Sequence, residues 1–134
     1  MAEPRNSIDR LNLPRSAVSG FAHCLALPRE PEATVKRRIG EYLATARALA
    51  AAREAVDVEM AVKIAHAACT LLDGIEWHTP EDDRALIHAA AHYFLLEPDG
   101  ESDLESITGF DDDAGVMNAV AAHLGREDLL IRVP

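Results

Sequence analysis

Two groups of side chains in this sequence have the types and spacing for chemistry. The first is acidic. Across residues 97–113, eight of the seventeen residues are Asp or Glu and none is basic. Glu97, Asp99, Glu101, Asp103 and Glu105 alternate along the chain, and Asp111, Asp112 and Asp113 close the run. Calcium and magnesium are hard ions that need several oxygen ligands gathered in one loop, so Asp99, Glu101, Asp103, Asp112 and Asp113 are candidate ligands. The order of an EF-hand, with Gly at its sixth position and Glu at its twelfth, does not occur here. The competing expectation is that Asp112 or Asp113 caps the helix that follows and the remaining carboxylates are solvated. A basic partner, including the more basic half of a second copy, is a further way to satisfy them.

The second group is His88 and His92. Their i,i+4 spacing puts both imidazoles on one face of a helix, where they could grip a transition metal. Helical projection also aligns them with Glu81 and Arg84, opposite Leu86, Ala90 and Phe94, which predicts that they lie on a solvent stripe. Cys24 and Cys69 have neither zinc-ligand nor disulfide-framework spacing, and apolar neighbours predict buried, reduced thiols. Trp77, the only tryptophan, precedes His78 and is expected to close one end of the fold. No nucleophile elbow, phosphate-cradling glycine loop or Cys–His context is visible, so no catalytic residue is assigned.

The bulk properties say what must hold these residues. In 134 residues, 49% are hydrophobic but only 4% aromatic, a composition that builds a core from Ala, Leu, Val and Ile and favours closely packed helices. The net charge of −10 is uneven: residues 1–72 carry 10 basic and 8 acidic groups, residues 73–134 carry 3 and 15. That balance disfavours a nucleic-acid backbone as partner. The absence of a secretory pattern and of an apolar run near the length of a membrane span predicts a cytoplasmic protein that does not insert into membranes.

Periodicity predicts helices over residues 32–53, 57–72, 79–96 and 112–124. In the first, Val35, Ile39, Tyr42, Leu43, Ala46 and Leu49 form the apolar stripe, with Glu32 and Lys36 an i,i+4 ion pair. In the second, Met60, Ile64, Ala67, Ala68 and Leu71 do so, and a break near residues 55–57 separates the two. Thr79 and Pro80 mark the start of the third, Thr79 as the cap and Pro80 in the first turn. Gly125 ends the last, and Leu129, Leu130 and Ile131 are expected to fold back. Residues 1–20 read as an extended arm and residues 21–134 as one helical domain, an all-α bundle of four to five helices.

From residue 79 to residue 124 the sequence resembles the YkvA-type domain, a family of unknown function. Thr79-Pro80 opens the helix, Tyr93-Phe94-Leu95-Leu96 ends it, and Asp99, Asp103, Gly109, Phe110, Asp112 and Asp113 fall at the family's loop spacings. The resemblance implies a helix–loop–helix architecture in which Thr79, Pro80, Gly109 and Phe110 are structural. The family loop is usually apolar; here Glu97, Ser102 and Ser106 replace prolines and Gly100, Glu101 and Glu105 replace apolar residues, the mark of a divergent, solubilised member. The functional expectation is a non-enzymatic interaction module that binds a protein partner or itself, with no cofactor. The alternative is a metal-binding protein, an enzyme among the options, using calcium or magnesium on the acidic segment or a transition metal on His88 and His92.

Overall fold

The computed structural model describes residues 11–52, 58–95 and 110–132. Five α-helices occupy most of them: α1 (Val18–Ala26), α2 (Glu32–Ala52), α3 (Val58–Asp73), α4 (Glu81–Leu95) and α5 (Asp111–His123). Short 3-10 turns at Arg15–Ala17 and Glu127–Leu129 flank them, and no strand occurs among the described residues. The chain is therefore an all-α bundle.

The expected apolar stripes are the ones that turn inward. Val35, Ile39 and Ala46 of α2 are buried, as are Met60, Ile64, Ala67, Ala68 and Leu71 of α3. Helix α4 sits at the centre, packed against all four other α-helices. Ala89, Ala90 and Ala91 are each buried, and their small side chains let neighbouring backbones come close on every side. One aromatic cluster anchors the interior. Phe94 and Phe110 lie 6.0 Å apart between ring centroids, and Tyr42 meets Phe94 edge-on at 5.0 Å. Such edge contacts suit the ring quadrupoles and add to the burial of area.

Residues 1–10 of the expected arm, the break expected near residues 55–57, and Gly109 lie outside the described residues. From Leu11 onward the chain is docked. Leu11 is buried, the 3-10 turn follows, and α1 begins at Val18, earlier than the domain boundary expected at residue 21. Pro14 lies so close to α5 that a Cβ on Gly115 would come within 2.5 Å of its Cγ. Only glycine leaves that space open. The Ser16 hydroxyl donates to Asp112 Oδ2 at 2.9 Å, fixing the same approach.

The C-terminal end of α5 closes as expected. Gly125 has φ +75°, and the Arg126 N–H donates to the Ala121 carbonyl at 2.8 Å, the 6→1 bond of a Schellman motif. Beyond it Leu129 and Ile131 are buried while Leu130 points outward. Asn118 holds this tail with both ends of its amide: Nδ2 donates to the Ile131 carbonyl at 2.7 Å and Oδ1 accepts from the Ile131 N–H at 2.6 Å. The start of α5 differs from expectation. Phe110, not an aspartate, occupies the N-cap and no side chain caps it; Asp111, Asp112 and Asp113 lie in the first turn instead. There they complement the positive end of the helix dipole.

Candidate functional site

The predicted solvent stripe on α4 does not exist at its histidines. His88 is 3% exposed and His92 7% exposed. The face of α4 that carries the imidazoles is covered by α1 and by the segment that leads into α2, neighbours that the periodicity of one helix does not contain. Each ring finds a carboxylate there. His88 Nε2 lies 3.0 Å from Glu32 Oε2, and His92 Nε2 lies 2.9 Å from Glu30 Oε2. Arg38 also bonds Glu30, and Arg29 pairs with Glu81 at the start of α4. A polar seam thus staples the α1–α2 connection onto the central helix through Arg29, Glu30 and Glu32. The expected Glu32–Lys36 pair is replaced by two tertiary ones, Glu32 with His88 and Lys36 with Asp73 at the end of α3.

The electrostatics of the seam are those of a lock. Burial pushes the His88 imidazole below its ordinary range, and its bond to Glu32 only partly offsets that effect. The bond from His92, helped by Arg38, holds the Glu30 carboxyl below the usual carboxylate range. With Glu32 accepting from Nε2–H, a neutral His88 leaves its lone pair on Nδ1. Cys24, Arg29, His88 and His92 line a small cavity of about 110 Å³ beside the seam. The Cys24 thiol is pushed up to about 11, chiefly by burial and further by the nearby Asp113 carboxylate. At neutral pH it is a thiol, which is a poor nucleophile. The proximity of Cys24 to two histidines is therefore not an activated Cys–His pair.

Other candidate ligands are dispersed. The imidazole centroids of His88 and His92 are 6.4 Å apart, but their Nε2 atoms are committed to separate glutamates. Asp112 faces Ser16, and Asp113, 3% exposed, lies in the interior on the side of Cys24. Asp99, Glu101 and Asp103 fall outside the described residues. Among the described residues no group of three or more His, Cys, Asp or Glu side chains is placed to hold a metal ion.

The corner between α3 and α4 departs furthest from expectation. Trp77 does not close the bundle; it is 92% exposed. The corner is firm beneath it. The Thr79 hydroxyl accepts from the Glu76 N–H at 2.8 Å, the Thr79 N–H donates to the Glu76 carbonyl at 3.0 Å, and Arg84 donates to the same carbonyl at 2.9 Å. Thr79 thus bonds back into the turn, and the Pro80 carbonyl accepts the first helical bond, from Arg84, at 3.0 Å. These bonds hold residues 76–80 in one shape and leave the indole outside it, its ring 5.3 Å from that of His78. Asp73, Glu76, Glu81, Asp82 and Asp83 surround this corner in sequence, with no basic residue before Arg84. Nothing local in the sequence distinguishes a tryptophan that closes a bundle from one that projects from a turn; what decides is whether another element passes over it.

No helix among the described residues is long and apolar enough to cross a membrane. Comparison of the chain with protein-family models, with curated proteins and with solved structures gives no match.

Proposed function

We propose that this chain is a non-enzymatic interaction module of the cytoplasm, a divergent member of the YkvA-type domain, that docks a protein partner at the α3–α4 corner. The exposed indole of Trp77 carries the reading. Tryptophan is the residue most enriched at binding hot spots, because a rigid ring of large area gains much on leaving water and loses little entropy. Here it is presented on a turn braced by three hydrogen bonds, so little ordering cost remains for association. Arg29, Lys36 and His78 already lie against Glu81, Asp73 and Glu76, which leaves Asp82 and Asp83 to favour a partner whose Lys or Arg side chains can lie over the ring face. The resemblance over residues 79–124 supports the family assignment through Thr79-Pro80, Tyr93-Phe94, Phe110, Asp112 and Asp113.

The test uses the fact that Trp77 is the only indole in the chain. Affinity capture from cytosol is run with the natural chain and with Trp77→Ala. The captured protein is then purified and titrated while Trp77 emission is followed. A blue shift on binding, and loss of capture in the variant, is the expected result. Equal capture by both chains, or unchanged emission at saturation, would sink the proposal. If emission shifts with the concentration of the chain alone, the partner is a second copy.

A further inference from the structure

A groove of about 480 Å³ lies between α3 and the C-terminal tail, on surface that neither the histidine seam nor the Trp77 corner uses. Val62, Lys63, His66 and Ala67 of α3 line it on one side and residues 128–132 on the other. Its volume is that of a small-molecule site. The tail wall is fixed rather than loose, since Asn118 takes both polar groups of the Ile131 backbone. That anchor also sets the alternation of the tail: Ile131 turns inward and Arg132 outward.

The lining is amphipathic in a particular way. Val62 and Leu130 supply accessible hydrocarbon above a floor of Ala67 and Ile131, while Lys63 and Arg132 are exposed cations with no hydrogen bond or ion pair among the described residues. Arg29, Lys36, Arg38 and Arg126, by contrast, each bond a carboxylate. The one acid in the groove, Asp128, is engaged by Arg126 through two bonds of 3.0 Å. In a chain of net charge −10, this lining holds two cations that pair with no acid among the described residues, which favours an anionic ligand there.

We infer that this groove binds a small apolar carboxylic acid, its hydrocarbon along Val62 and Leu130 and its carboxylate at Lys63 and Arg132. Guanidinium and ammonium donors to a carboxylate are charge-assisted bonds, which a neutral ligand of the same shape cannot make. The site therefore selects by charge as well as by hydrocarbon.

The experiment is a 1H–15N NMR titration of the full chain with decanoate and, separately, with decanol. The expected result is saturable shifts at Val62, Ala67 and Ile131 with decanoate, and binding of decanol weaker by roughly tenfold or more. The double variant Lys63→Gln, Arg132→Gln should bind decanoate no better than decanol, with an unchanged melting temperature, since both side chains are exposed. Equal affinity for acid and alcohol in the natural chain refutes charge selection without recourse to any variant. No saturable shift up to about 1 mM decanoate, shifts mapping elsewhere, or full retention of decanoate affinity in the double variant would likewise overturn the inference.

Discussion

The seam at His88 and His92 and the corner at Trp77 invert the usual placement of their residue types. Two imidazoles are buried on α4, while a few residues before that helix begins the one indole stands in water. The reason is the same in both places. Polarity sets what burial costs, but neighbouring elements set whether burial happens. At the seam the chain supplies Glu30 and Glu32, so the cost of removing the imidazoles from water is met by hydrogen bonds. At the corner no element among the described residues passes over the ring, and the turn hydrogen bonds keep it from folding inward. The first region stabilises the fold; the second is left available.

That contrast can be broken in order of expected effect. Trp77→Ala should weaken partner binding by at least about 2 kcal/mol, roughly thirtyfold in Kd. Its unfolding free energy should stay within about 0.5 kcal/mol of the natural chain, as for an exposed position. Parallel titration calorimetry and urea denaturation read the two numbers; a comparable loss of stability would show that the indole belongs to the fold. His88→Ala should do the opposite, costing about 2 kcal/mol in urea denaturation through lost packing and an unpaired Glu32 while leaving partner affinity alone.

The smallest effect is on pH dependence. Burial lowers the His88 pKa in the folded state, so the unfolded chain takes up the proton more readily. The contribution of this group is therefore complete above the unfolded value, about 6.5, and is lost as pH falls through the lower folded value. Melting temperatures measured from pH 7.5 downward should decline on entering that window, and His88→Gln should flatten the decline. A second decline, from Glu30, belongs below the ordinary carboxylate range boundary, because its folded pKa is depressed; Glu30→Gln should remove that part alone. An identical profile for natural chain and both variants would show that the seam does not couple protonation to folding.

The sequence made the helices legible because their apolar residues recur at helical spacing. Val35, Ile39 and Ala46, or Met60, Ile64 and Leu71, require no knowledge of the rest of the chain. It was less informative wherever two distant segments meet. His88 and Glu32 are 56 residues apart, and no local pattern pairs them. One signal was available: after Arg84 the helix has no charged residue through Leu95, and the histidines are interleaved with Ala85, Ala89 and Ala91. A true solvent face of that length carries charges. The α5 cap failed for a different reason. Asp112 and Asp113 both have a capping preference, but Phe110 is held by Tyr42 and Phe94 in the core, and tertiary packing set the helix start ahead of the aspartates.

The meeting of Pro14 with Gly115, and of Ser16 with Asp112 across a separation of 96 residues, bears on how the molecule is made. Ser16 is synthesised 96 residues ahead of the aspartate on α5 that it rests against. Until α5 has followed, Pro14 and Ser16 lack these partners, and closing so long a loop carries an entropic cost. This docking therefore waits on α5, and a nascent chain stalled before Gly115 would leave Pro14 without its seat.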